Sequence, residues 1–423
     1  MKNPKSKFSK LFSNDYFLSL CSKFFIMVFG FISLIFLNRF LGAELKGQYS
    51  SIINYVTIAS AILQFGLSTI YPHFKRKNIE NCYEIFISLA LIQFIIFSLI
   101  SLGIIVLTNF DVTVTYVCIV SIVSTLALQF RYINLVENIK RNTFVIFVIS
   151  SLNCLLTIAT FLLLKRDLAT ALIIYLIKDI TIILLYATKI NYLKLFLRQY
   201  RKYYLQITKE GILPMLSGLL IILNYKVDIV MLNAYSIDFS AIGVYSLGLS
   251  IAEYIWVIPD IFKDVVQKRT AKDNSLDTVN FSLRCSSSFV IFAFLTLFIL
   301  GEQLFTILFG EEYTEAFHIT MILFAGIYSI VYYKIIGRLF ISDGKSKQYF
   351  YTLLAGVIIN IVVNYFVIPT SGIYGAAIAS VASYSGTGLI FLLLYLKYYH
   401  VKITDVILVK PRDFKKFKRF LKS

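Results

Sequence analysis

Residues 16–37 read YFLSLCSKFFIMVFGFISLIFL, with Lys23 as the one charge. About 20 apolar residues cross the hydrocarbon core of a bilayer as a helix, so this stretch is long enough to span. Lys2, Lys5, Lys7 and Lys10 precede it, as in a secretory leader. No small-x-small cleavage site follows; the run ends in Asn38-Arg39-Phe40-Leu41. It reads as a retained first span. Comparable runs recur near 49–71, 84–107, 113–136, 143–164 and 168–188. A second set lies near 212–234, 241–262, 281–301, 317–341, 349–369 and 374–396. Barrel strands would alternate apolar and polar over ten residues, and that pattern is absent. Only helices then satisfy the backbone in lipid. The expected fold is an all-α membrane protein with about twelve transmembrane helices.

Composition agrees. Of 423 residues 58% are hydrophobic and only 15% charged, with a mean hydropathy of +0.77. A soluble chain carries about 25% charged residues. The net charge of +18 suits nucleic acid in principle. Its lysines and arginines instead sit in short patches on every second connection, so no nucleic-acid partner is expected. The five cysteines show no CxxC pair and the three histidines no ligand spacing, so neither disulfides, a metal nor a cofactor is indicated.

The basic patches set the orientation. Lys75-Arg76-Lys77, Lys140-Arg141, the 189–211 connection, Lys263 to Lys272, Lys345 with Lys347, and the tail from Lys397 fall inside. Outside connections hold only Arg39, Lys46, Lys165 and Arg166, and 302–316 carries Glu302, Glu311, Glu312 and Glu315 without a basic residue. Both termini are therefore expected in the cytoplasm. The expected organisation is an N-terminal six-helix lobe 1–188, a cytoplasmic basic linker 189–211, a C-terminal six-helix lobe 212–396 and a basic cytoplasmic tail 397–423. The linker alternates apolar and basic residues. It reads either as an amphipathic helix on the anionic leaflet or as a solvated connection.

The halves partly repeat. Leu37-Asn38, then Gly47-Gln48-Tyr49-Ser50, Pro72 and a basic patch match Leu232-Asn233, then Gly243-Val244-Tyr245-Ser246, Pro259 and a basic patch. Six spans per half make this a parallel repeat, one known plan for alternating access.

Charges inside the spans are costly, roughly 2.5–3.5 kcal/mol each on insertion scales, and face a cavity or a partner. Asp260, Arg284 and Arg338 lie near the cytoplasmic interface and are expected to snorkel. Lys23, Arg131, Lys178, Asp179, Lys226, Asp228, Glu253 and Lys334 lie deeper. Lys226 and Asp228 point about 200° apart on one helix, so they cannot both face one lumen. Lys334 and Arg338 share a face. Two readings stand: interhelical pins, for example Asp228 or Glu253 with Lys178, or groups of a transport path. Pro214 is expected to open the seventh span, and Pro259 and Pro369 to end theirs.

Four stretches carry a family likeness. They are Asn38-Arg39-Phe40-Leu41-Gly42 running to Gly47-Gln48-Tyr49-Ser50; Gln64-Phe65-Gly66-Leu67-Ser68; Asn224-Tyr225-Lys226-Val227-Asp228; and Leu308-Phe309-Gly310-Glu311-Glu312-Tyr313 continuing through Gly344-Lys345, Asn360, Asn364, Pro369 and Tyr374-Gly375-Ala376-Ala377. The chain resembles Wzx-type polysaccharide (O-antigen) repeat-unit flippases of the multidrug/oligosaccharidyl-lipid/polysaccharide (MOP) exporter superfamily. The resemblance implies two six-helix lobes around a central cavity, as in the related multidrug (MATE) exporters. It implies a transporter, not an enzyme, in the bacterial inner membrane. The cargo would be an undecaprenyl-pyrophosphate-linked glycan, with membrane lipids, a coupling proton or sodium ion, and the glycan polymerase machinery as partners. Lys226-x-Asp228 stands where the family commonly has Arg-x-Asp, losing the bidentate fork. On that reading Lys23, Arg131, Lys226 and Lys334 offset the diphosphate, and Asp179, Asp228 or Glu253 exchange the ion. The rivals are a multidrug or organic-cation exporter on the same fold and a membrane-embedded glycan polymerase or glycosyltransferase.

Overall fold

The computed structural model describes residues 15–188, 190–263, 266, 276–411 and 413, with side chains from Phe24 onward. The Lys23 side chain, Lys2 to Lys10, the patch Lys268-Arg269-Lys272 and residues 414–423 lie outside the described residues. Secondary structure among the described residues is helical throughout, with short 3-10 turns. Among the described residues nine helices are long and apolar enough to cross a membrane, and the pair Phe239–Tyr254 with Val257–Lys263 adds a tenth. Two of the nine run 53 and 54 residues. At 1.5 Å per residue each is about 80 Å long, more than two bilayer cores. The first breaks at Gly42 (φ 71°) and again at Phe65-Gly66, the second at Gly372 (φ 52°); dividing them at Gly42 and Gly372 gives twelve spans among the described residues.

We number them α1 (15–41), α2 (43–63, continued by Leu67–Arg76), α3 (Cys82–Leu107), α4 (Val112–Glu137), α5 (Ile139–Leu163) and α6 (Leu168–Ala187). The rest are α7 (Arg201–Ala234), α8 (Phe239–Tyr254 with Val257–Lys263), α9 (276–300), α10 (Ala316–Ser342), α11 (346–371) and α12 (373–399). Asp111, Asn138, Asp167 and Asp238 cap α4, α5, α6 and α8 by accepting from a backbone N–H of the first turn, which sets those starts.

Several boundaries differ from the sequence reading. The expected outside loop 38–48 is helical on both sides of Gly42, and Asn38, Phe40, Leu41, Ala43 and Lys46 are buried. Glycine takes the left-handed φ that a side chain would resist, so one residue replaces a loop. Pro214 lies inside α7 rather than opening it. Pro259 does not end α8. Lacking an N–H for the Ile255 carbonyl, it bends the span, and the two pieces meet at 42° across Ile255-Trp256.

Residues up to Ile222 form one compact unit and those from Leu223 a second. In the first, Tyr71, Phe74, Phe86, Phe130 and Tyr186 build a core of α2, α3, α4 and α6. The 190–200 connection joins that core. Tyr200 is buried in it, Leu195 packs on it, and the Phe196 N–H donates to Ser88 Oγ at 3.1 Å. Leu193 and Leu205 stay exposed. The segment is therefore two 3-10 turns running into α7, docked through Ile190, Leu195 and Tyr200 while Tyr192 and Phe196 keep their rings exposed. In the second unit α10 is the central helix, buried on nearly every side. Apolar residues all round a helix predict that position.

The internal repeat has a structural counterpart. Asn38 Nδ2 donates to the Leu34 carbonyl at 2.6 Å, and Asn233 Nδ2 to the Ile229 carbonyl at 2.7 Å. Tyr49 and Tyr245, matched by the repeat, each lie beside a buried aspartate, Asp179 and Asp228 respectively.

Candidate functional site

In the second unit α7 presents Lys226 and Asp228 to different surroundings, as their helical angle requires. Asp228 is 0% exposed. Its carboxylate accepts from Tyr245 Oη of α8 at 2.8 Å, Asn364 Nδ2 of α11 at 2.7 Å and Ser380 Oγ of α12. Asn364 Nδ2 also donates to Asn360 Oδ1 at 2.6 Å. One turn back on α7, Asn224 accepts from Ser383 Oγ, which also donates to the Gly356 carbonyl. Four helices thus converge on one acid that has no basic partner among the described residues. Such an acid holds its position by neutral donors, each worth more to a charged acceptor than to a neutral one.

Lys226 turns the other way and meets Glu253 of α8 at 2.9 Å, the two side chains 25% and 29% exposed. Past the bend of α8, Asp260 Oδ1 accepts from Lys263 at 2.8 Å and Oδ2 from Lys334 of α10 at 2.9 Å. Trp256, at the bend itself, lies between Tyr225, whose ring centroid is 4.5 Å away, and Lys334, whose Nζ sits 4.5 Å from its centroid. Tyr384 of α12 closes the aromatic group edge-on. Arg338, one turn beyond Lys334, has no acid within 4 Å among the described residues and is half-buried. A face with this many charges does not look into hydrocarbon.

The first unit holds Arg131 and Asp179. Asp179 is buried, accepts from Ser124 Oγ, and lies 3.5 Å from its chain neighbour Lys178, whose Nζ covers the Tyr175 ring at 3.5 Å. Arg131 is half-buried beside Tyr132 and has no acid within 4 Å among the described residues. Lys178 pairs with Asp179 and Glu253 with Lys226, each within its own unit.

Two residues read as snorkelling do not. Asp260 is the bridge described above. Arg284 of α9 is 0% exposed: its Nε and Nη2 donate to both oxygens of Asp413 at 2.7 Å, and Nη1 donates to the Asp405 carbonyl at 2.5 Å. Val406 is buried and the Val409 N–H reaches Ser288 Oγ, so residues 403–411 and Asp413 fold back onto α9. The sequence reading also missed Glu137, which accepts from Tyr71 Oη and pairs with Lys75 at 2.8 Å. Spacing gives no signal for contacts 62 to 129 residues apart. Asn360 and Asn364, four apart on α11 and so on one helix face, both belong to the Asp228 network.

Replacing Asp228 by Ala leaves Tyr245, Asn364 and Ser380 without that acceptor, at about 1–3 kcal/mol for each buried group left unmade. We expect Asp228→Ala to lower the melting temperature of purified protein well below that of Lys226→Ala, with Asp228→Asn between. Equal melting of all three would show that the network does not hold α7 in place.

A multi-pass helical membrane protein of two units, with acids and lysines drawn together on α7, α8 and α10, defines the class. Its fold is that of MOP-superfamily transporters. A lipid II flippase MurJ in an inward closed conformation aligns with a TM-score of 0.69 at 15% identity, over 92% of this chain and 89% of that one. An inward-facing multidrug resistance MATE transporter of the MOP superfamily aligns at 0.66 and 13% identity, over 87% and 93%. A mutant of the Vibrio cholerae MATE transporter VcmN aligns at 0.60 and 15% identity, over 95% and 99%. No family model and no curated protein matches the sequence.

Proposed function

We propose that the chain is a flippase for an undecaprenyl-pyrophosphate-linked oligosaccharide repeat unit of a surface glycan such as O-antigen, working by ion-coupled alternating access in the bacterial inner membrane. The supporting observation is the charge balance of the α7–α8–α10 face. Lys226, Lys263, Lys334 and Arg338 give four positive charges, and Glu253 and Asp260 give two negative, leaving two positive. That is equal in size and opposite in sign to the charge of a pyrophosphate diester, and it repels the organic cations a multidrug exporter carries. Lys226 and Lys334 would meet the diphosphate, with Arg131, and with Lys23 by its place in α1. Asp228 is our first choice for the coupling proton or sodium ion, because its neutral donors leave its charge uncompensated; Glu253 and Asp179 are the alternatives. Moving one charge across 100 mV supplies about 2.3 kcal/mol, enough to bias a cycle.

The test is surface polysaccharide in cells carrying Lys226→Ala or Glu253→Ala at matched expression. We expect each to fall about tenfold, as loss of roughly 1.4 kcal/mol from the limiting step would give. Wild-type glycan in both variants removes those two roles. A change in drug susceptibility on deletion, with intact surface glycan, gives the chain to the multidrug exporters instead.

A further inference from the structure

Asp260 is an unusual acid for an anion carrier to keep. It sits where it partly cancels the charge that the cargo would meet. Its two oxygens bridge two ammonium groups, Lys263 from its own helix and Lys334 from α10. Asp260 is 35% exposed while Lys334 is 9% exposed, so the acid, not the lysine, is the open partner. Lys334 is backed by the Trp256 ring, and the indole N–H of Trp256, itself buried, has no hydrogen-bond partner among the described residues. Two lysines held this close repel unless an anion lies between them. Asp260 supplies that anion from a short side chain at the edge of the bent segment of α8. A phosphate group offers more oxygens and more charge than a carboxylate, so it competes at both lysines at once.

We propose that Asp260 is a resident counter-anion: it keeps Lys263 and Lys334 converged in the empty protein and is displaced from both by a phosphate or diphosphate group. The identity of the cargo rests on the flippase reading; the exchange itself does not. The carboxylate has two effects. It holds the lysines in place for the incoming anion, and by competing for them it lets that anion leave. A path must bind well enough to admit and weakly enough to release, as in a conducting pore. Removing the carboxylate therefore tightens anion binding and slows transport, whereas a merely structural pin would weaken both when removed.

Trp256 is the only tryptophan in the chain, so its emission reports directly on Lys334. Full-length protein in phosphatidylcholine nanodiscs is titrated with inorganic pyrophosphate and, separately, inorganic phosphate. Asp260→Asn should bind pyrophosphate about tenfold more tightly than wild type, while cells carrying it display less surface glycan. Lys334→Gln should abolish the emission change. Lys263→Gln, which leaves a closed one-to-one pair, should weaken binding about tenfold, and it carries the test if Asp260→Asn does not fold. Unchanged or weaker pyrophosphate binding in folded Asp260→Asn overturns the exchange, as does unchanged binding in Lys263→Gln. Repeating the titration with phosphatidylglycerol in the nanodisc separates the sources of phosphate. Competition shows the exchange with a lipid headgroup, and no competition shows it with diphosphate alone. Pyrophosphate exchange in a protein whose deletion leaves surface glycan intact would remove the glycan cargo and keep the anion site. Glycan loss without exchange would do the reverse.

Discussion

Gly66→Ala and Gly211→Ala are each expected to leave little folded protein, while Gly218→Ala, about two turns beyond Gly211 along the same helix, is expected to be harmless. A Cβ on Gly66 would lie 2.1 Å from the Gly211 carbonyl oxygen, and a Cβ on Gly211 would lie 2.1 Å from that of Phe65. Both obstacles are backbone, so no side chain can step aside. Overpacking costs about 1–3 kcal/mol. At Gly66 the φ of +65° adds about 1–2 kcal/mol for a residue with a side chain. This contact seats the first turns of α7 against the break in α2, where Glu210 also faces Lys77 at 3.8 Å and His73 at 4.0 Å. Gly218 lies in α7 with open space around it, and alanine there gains about 1 kcal/mol of helix propensity. Melting of the purified variants decides the matter: if Gly211→Ala melts like Gly218→Ala, the close approach is not a feature of the folded protein.

The second large effect is expected at Arg284 and Asp413. Removing one partner of a sealed ion pair strands the other, at about 3–5 kcal/mol. Arg284→Ala and Asp413→Ala should therefore each cut the yield of monodisperse protein severely. The double variant Arg284→Met with Asp413→Leu should recover much of the loss, because apolar side chains of similar size need no counter-charge. Recovery no better than the single variants would mean that the Asp405 carbonyl, rather than Asp413, is the essential partner.

The helices were legible because lipid imposes length and apolarity on each span, and those are local properties. Their joints were less so. Glu44, Lys46 and Gly47 look like loop residues, yet they lie on helix, because a single left-handed glycine reverses the requirement for a connection. Pro259 marks a discontinuity in sequence, but whether it stops or bends a span depends on what packs beyond it, here Lys334 of α10. The buried charges were legible as a set and not as partners. Lys226 and Glu253 are 27 residues apart, Lys334 and Asp260 74, Arg284 and Asp413 129. Pairing over such separations depends on helix order and rotation, which hydropathy does not encode. Asp413 in particular sits within a basic tail, where an acid reads as solvated.

That last separation sets a clock on biogenesis. A ribosome adding roughly 5–20 residues per second exposes Asp413 about 6–26 s after Arg284. Throughout that interval α9 has left the ribosome with a guanidinium that lacks its counter-charge. It must wait at the insertion machinery or at the headgroup layer until the later segment arrives. Final seating of α9 is thus a late event in synthesis, whatever its own apolarity would allow.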